Sequence, residues 1–161
     1  MTSSVEWRWW SWRDLAPDVL HDFLKLRSDV FVVEQNCVFP DMDGRDRDCE
    51  HLCGHDTSGR LIAYLRLVPP GIKSGEPSGE PGLGRVVVEQ PARGTGLGRA
   101  LMVEGLRRCA ELYPGKTVKV SAQQHLEHFY NSLGFKTVGA PYLEDGIWHL
   151  DMIRLYSPHS N

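Results

Sequence analysis

Val19, Leu20, Phe23, Leu24, Arg27, Val30 and Phe31 recur at three- and four-residue spacing with polar residues between them. That period predicts an amphipathic helix, opened by Pro17 in its first turn and fading by Gln35. Leu97 to Tyr113 repeats the period through Val103, Leu106, Ala110 and Tyr113 and stops at Pro114-Gly115. Gln124 to Leu133 is a third helical stretch, closed by Gly134. Other runs are extended. Val5 to Trp12 is aromatic and β-branched, Glu50 to Asp56 and Arg60 to Val68 flank the turn formers Asp56-Thr57-Ser58-Gly59, and Leu83 to Glu89 carries the apolar run Val86, Val87, Val88. Thr117 to Ala122, Phe135 to Tyr142 and Trp148 to Tyr156 complete the strands. Pro40 to Asp48 and Pro69 to Gly82 are rich in turn formers and predict loops. Strands and helices mixed in this order indicate one α/β (α+β) domain over residues 1–161.

Composition agrees with that picture. The 161 residues are 41% hydrophobic and 24% charged, enough apolar surface for one packed core and not for two full domains. A net charge of -3 gives no basic footprint, so nucleic acid is set aside. No apolar run approaches the roughly 18 residues a membrane span needs, and Met1 to Arg13 mixes Glu6, Arg8 and Arg13 among tryptophans, unlike a secretory signal. Cytoplasm is therefore the expected compartment, and Cys37, Cys49, Cys53 and Cys109 read as reduced thiols.

The most informative segment runs from Val86 through Pro91, Arg93, Gly94, Thr95, Gly96, Leu97 and Gly98 to Arg99, an apolar strand passing through three glycines into a helix. Glycines let backbone N–H groups approach an anion, and a helix N-terminus adds unsatisfied donors and partial positive charge. A P-loop would need Gly-Lys-Ser/Thr where Arg99-Ala100 follows Gly98, and a Rossmann fingerprint would need glycine at Arg99. The pattern that fits is Arg-x-x-Gly-x-Gly, Arg93 to Gly98, which resembles the acyl-CoA pyrophosphate loop of the GNAT N-acetyltransferase superfamily. Phe129-Tyr130-Asn131-Ser132-Leu133-Gly134-Phe135, with Gln123 seven residues before Tyr130, resembles the second signature of that superfamily. Val30 to Gln35, Asp41-x-Asp43-Gly44 and Glu144 to His149 resemble its ElaA-like branch.

The resemblance implies a GNAT acyl-CoA N-acyltransferase fold, a twisted mixed sheet whose fourth and fifth strands, here Leu83 to Val88 and Thr117 to Ala122, splay around the cofactor. It assigns the pantetheine to the backbone of Val86, Val87 and Val88, the pyrophosphate to Arg93 through Arg99, and a further contact to Gln123, where many relatives carry Asn. The implied activity is transfer of an acetyl group from acetyl-CoA, without metal, directly to a primary amine of a small molecule. The alternatives are a non-catalytic acyl-CoA-binding module and an enzyme acting on a protein amine.

Such transfer needs a neutral amine, a polarised thioester carbonyl and a proton for the departing thiolate. A backbone N–H near Val88 can serve the oxyanion, and Tyr130, at the matching family position, can protonate the thiolate. Glu34 is the first-ranked base and His149 the second, with His51 and Asp145 also chemically suitable. Cys37 could carry the acetyl group in a ping-pong cycle, but the resemblance implies direct transfer.

Three other patterns carry less. Cys49, His51, Cys53 and His55 alternate, but steps of about 6.6 Å along a strand spread four side chains over about 20 Å, too far to share one zinc ion. Asp41, Asp43, Asp46 and Asp48 lack the glycine and glutamate spacing of an EF-hand and read as a solvated acidic turn that could attract a cationic amine. Trp7, Trp9, Trp10 and Trp12 cannot all share one strand face, so some cover a second surface, either a helix of the same chain or a homodimer contact.

Overall fold

The computed structural model describes residues 4–72 and 79–156. Residues 73–78 of the loop expected at Pro69 to Gly82 lie outside them. The described residues form a seven-stranded sheet in the order β1-β2-β3-β4-β5-β7-β6. Its strands are β1 Glu6–Ser11, β2 Glu50–His55, β3 Leu61–Val68, β4 Gly82–Val88, β5 Val118–Gln123, β6 Lys136–Glu144 and β7 Ile147–Arg154. Neighbouring strands are antiparallel except β4 and β5, which are parallel and share the single pair Gly82↔Lys119. Beyond that rung they diverge, as the resemblance implied.

The helices are α1 Pro17–Arg27, α2 Leu97–Leu112 and the short α3 Glu127–Asn131. The first does not stop at Arg27 but runs on as a π-helical segment, Ser28–Glu34, so the helical period legible to Gln35 covers two kinds of helix. The stretch expected as one helix from Gln124 is a 3₁₀ turn, Gln124–Leu126, followed by α3.

Two cores sandwich the sheet. On one face α2 covers Leu65, Leu67, Leu83, Val118, Val120, Leu150 and Met152, and Leu101, Met102 and Cys109 fill in from the helix. Gly105 permits the approach, because a Cβ there would stand 3.0 Å from Leu65 and 3.1 Å from Leu83. On the other face α1 packs Phe23, Leu26 and, from the π-helical turn, Val30 against Trp10, Tyr64 and Val87.

The tryptophans divide between these faces as period two requires. Trp7 and Trp9 join the α2 side, where Trp9 Nε1 donates to Glu104 at 3.0 Å, and Trp10 is buried on the α1 side. Trp7 and Trp9 stay half-buried in that packing, and Trp12 stands tilted beside His51 at 6.5 Å.

The α1 face also contains what the sequence reading placed in water. Asp41 and Asp46 are buried, and with Asp43 they meet three arginines from separate elements. Arg27 of α1 holds Asp41 at 2.9 Å and Asp46 at 2.8 Å. Arg66 of β3 reaches Asp46 at 3.0 Å and forks onto Asp43, and Arg85 of β4 pairs with Asp41 at 2.9 Å. The run is therefore a loop bolted onto the sheet, not a solvated acidic turn. Asp48 alone of the four remains exposed without an arginine of this group.

Arg85 takes a left-handed φ of 49° to make its contacts, where the register of β3 and β4 shifts. Burial would raise the Asp46 carboxyl, but the hydrogen bond and charge of Arg27, with Arg66 behind it, outweigh burial and hold it below its usual value. The same balance, with Arg66 dominant, holds Asp43 far down.

His51 is corrected by the same region. It is fully buried, stacked on Phe23 at 4.7 Å, with Nε2 2.8 Å from the Asp46 carbonyl and Nδ1 2.6 Å from the Tyr64 hydroxyl. A carbonyl only accepts, so Nε2 carries the proton and Nδ1 accepts from the tyrosine. Burial depresses its pKa and keeps it neutral. His51 pins the loop and is not available as a base.

Candidate functional site

The glycine loop has the geometry an anion needs. After β4 the chain makes a 3₁₀ turn, Gln90–Ala92, and reaches Gly94 at φ 78° and Gly96 at φ 82°, both left-handed, with nothing within 4 Å of a Cβ added at either. Any other residue would be strained at these two positions although space is free. Gly96 is the N-cap of α2 and offers no side chain to its first N–H groups. Those donors and the positive end of a 16-residue helix lie at a turn whose Gly94, Thr95, Gly96 and Arg99 are exposed. Thr95 Oγ1 closes the turn onto the Ala92 carbonyl at 2.7 Å. Arg99 rests on Ser132, its Nη2 2.8 Å from Oγ.

Arg93 is turned back toward β4. Its Nε donates to the Val88 carbonyl at 2.9 Å, and its Nη1 lies 2.9 Å from Glu34 Oε2. Val86 and Val88 lean on the α2-side core while Val87 is buried under α1, so this strand is covered on both faces.

Tyr130 sits on α3, buried, with its ring edge-on to Phe129 at 5.2 Å and Phe135 at 5.8 Å. The Tyr-x-x-x-Gly-Phe spacing has a local reason. Gly134 takes φ 91°, which folds the chain back so that the Leu133 and Phe135 N–H groups donate to the Tyr130 carbonyl and Phe135 meets the Tyr130 ring. Burial pushes the phenol up to about 12, and no side-chain hydrogen bond occupies its oxygen among the described residues.

A second group gathers across the splay. Ser121 and Gln123 on β5 face Asp151 and His149 on β7, and β6 adds Tyr142 opposite His149. Directly opposed residues share a face, and this one lies away from the α2 core, to which Val120, Ala122, Leu150 and Met152 belong. Tyr142 donates to Asp151 at 2.7 Å and accepts from Ser121, and burial with the Asp151 contact pushes its phenol up to about 12. His149 stacks on Tyr142 at 6.0 Å, and its Nδ1 lies 2.8 Å from the Ile147 carbonyl. In a neutral imidazole that carbonyl takes the Nδ1 proton and leaves the lone pair on Nε2, which has no hydrogen-bond partner among the described residues and stands 3.8 Å from Glu144.

The end of the π-helical segment ties these groups together. Glu34 reaches Arg93, Gln35 accepts from Gln123 Nε2 at 3.1 Å, and Cys37 donates from Sγ to the Asp145 carbonyl at 3.1 Å. Asn36 bends between them at φ 48°. Asp145-Gly146, at φ 51° and 79°, is the primed turn of the β6–β7 hairpin, a signal that Asp-Gly between two strands carries in the sequence. Ser121, Tyr142 and Asp151 were not singled out by sequence, because hydroxyls and carboxylates on exposed strand faces have no spacing that marks them.

Cys49 is pushed up to about 11, and Cys53 and Cys109 to about 12, each first by burial. These are packed thiols and not nucleophiles. Both ring nitrogens of His51 are engaged, which also removes it from any ion site with Cys49 and Cys53.

The GNAT acetyltransferase domain family matches residues 47–155. Protein ElaA of Escherichia coli is 40% identical over 152 residues, covering 93% of this chain and 96% of its own. The crystal structure of an acyl-CoA N-acyltransferase from Pseudomonas aeruginosa superposes with a TM-score of 0.86 at 40% identity, over 94% of this chain and 99% of that one. The crystal structure of Escherichia coli ElaA gives 0.86 at 37% identity with the same coverage.

Proposed function

The chain belongs to the GNAT acetyltransferase family and is an acyltransferase; from that premise we propose that it transfers an acetyl group from acetyl-CoA directly to the primary amine of a small molecule. The observation that carries this reading is the one-rung contact of β4 with β5, opening beside an uncapped, glycine-entered helix N-terminus. A thin, extended chain with an anionic end fits that pair of features. When bound, acetyl-CoA supplies the activated thioester.

In this reading the backbone of Val86, Val87 and Val88 and the Gln123 amide hold the pantetheine. The N–H groups of Gly94 through Gly98, with Arg93, Thr95 and Arg99, hold the diphosphate. A backbone N–H at the end of β4 stabilises the developing oxyanion, fixed before reaction and so free of reorganisation cost. Tyr130 gives its proton to the leaving sulfur, because a phenol raised to about 12 stays protonated at neutral pH and its oxygen is not committed elsewhere.

His149 is the better base of the two candidates. Its Nδ1–H is fixed on the Ile147 carbonyl and its Nε2 lone pair is open, whereas Glu34 is engaged by Arg93. Glu144, Asp145 and Asp151, which pair with no lysine or arginine among the described residues, favour a cationic acceptor through their field.

The test is calorimetric titration of acetyl-CoA into the purified protein, then a panel of mono-, di- and polyamines with thiol release monitored. Micromolar binding followed by release with a small amine is expected. Binding with release only on a peptide amine would overturn the acceptor class, and binding without release the enzymatic reading.

A further inference from the structure

Glu34 and Gln35 are consecutive, yet their side chains reach opposite edges of the splay. Glu34 pairs with Arg93, five residues after the Val88 carbonyl that Arg93 also holds, and Gln35 accepts from Gln123 at the end of β5. The end of the π-helical segment is thus a strap across the mouth between β4 and β5. Its anchor on the β4 side is the one arginine that opens the anion loop. Arg93 is two-fifths exposed and Glu34 about as much, so the pair sits where an incoming anion can compete for it.

We infer that Glu34 is a positioning residue that occupies Arg93 in place of the cofactor's diphosphate and must be displaced when the diphosphate binds. This rests on the proposed acyl-CoA site. The physical argument is an exchange of one anion for another. Arg93 keeps its geometry through Val88 while unliganded, because its Nε is held and its Nη1 has a carboxylate. On binding, the diphosphate takes over the Nη1 contact and the strap loses its hold on the β4 side. Binding therefore carries the cost of breaking a half-exposed ion pair, and removing the carboxylate removes that cost.

The experiment is titration of CoA and, separately, of S-acetylpantetheine, which has no diphosphate, into wild type, Glu34→Gln, Arg93→Gln and the double variant. Glu34→Gln should bind CoA about two- to five-fold tighter, the equivalent of one exposed ion pair. It should bind S-acetylpantetheine unchanged, and it should have no effect in the Arg93→Gln background. Glu34→Ala, as a second variant, should move CoA affinity in the same direction, and thermal melts confirm that each protein folds.

Unchanged or weaker CoA binding by Glu34→Gln would overturn the inference, as would tightening that persists without Arg93 or extends to S-acetylpantetheine. Failure of wild type to bind CoA at all would instead overturn the proposed function.

Discussion

The two faces of the sheet solve burial differently. Beneath α2 the interior is apolar throughout, from Leu65 and Leu83 to Met152 and Phe135. Beneath α1 the sheet buries Arg27, Asp41, Asp46, His51 and Arg66 together. The apolar face carries the glycine loop, whose residues are contiguous in sequence. The ionic face fixes residues 36–49 and, through them, the strap and Cys37 against the β6–β7 hairpin. A buried ion network is a weak source of stability compared with an apolar core of equal volume, but it accepts only one arrangement of its partners. The difference teaches that the side carrying the proposed cofactor loop is held by packing and the side carrying the strap by direction-specific bonds.

The comparison is broken most severely at Arg27. Arg27→Leu leaves Asp41 and Asp46 buried without their nearest cation and should cost about 3–5 kcal/mol in urea unfolding. Leu101→Ala on the other face should cost about 2–5 kcal/mol by cavity formation. The two are separated by hydrogen exchange, with Arg27→Leu loosening residues 36–49 first.

Tyr130→Phe keeps the ring and its contacts with Phe129 and Phe135, so melting should be unchanged while kcat falls about 10²-fold, the size of a lost general acid. Normal turnover would remove Tyr130 from the chemistry. Gly96→Glu should lose CoA binding, and because a side chain at φ 82° is strained it should also cost about 1–2 kcal/mol of stability.

The smallest effect is with pH. Asp43 and Asp46 have depressed carboxyls, so their contribution is complete above the unfolded value of about 4 and is lost as pH falls through the folded values. His51, neutral and depressed, destabilises as pH falls below its unfolded value of about 6.5. Both signs agree. Stability should decline from about pH 6.5 downward, the α1 face losing hydrogen-exchange protection before the α2 face, and His51→Gln should flatten the first part of that decline. An equal loss on both faces would erase the distinction.

What could be read from sequence follows the same division. The strands, α2 and the Arg93 to Gly98 loop were legible because apolar period and glycine placement are local. The burial of Asp41, Asp43 and Asp46 was not, since their partners Arg27, Arg66 and Arg85 lie on three elements and a charge run alone reads as solvated. Glu34 was legible as chemistry but not as a partner of Arg93, 59 residues away. His149 was found by residue type, and only the Ile147 carbonyl distinguishes which of its nitrogens is free.

The single Gly82↔Lys119 rung gives this sheet, besides its outer borders at β1 and β6, two unpaired strand borders in its middle. Unpaired borders recruit strands from other molecules, and their divergence here keeps them from matching a flat partner. A ligand that lies between them occupies the donors and acceptors that another chain would otherwise take. Concentrated preparations without ligand are thus the ones prone to associate, and added ligand protects them by mass action, in proportion to the logarithm of its concentration over its dissociation constant.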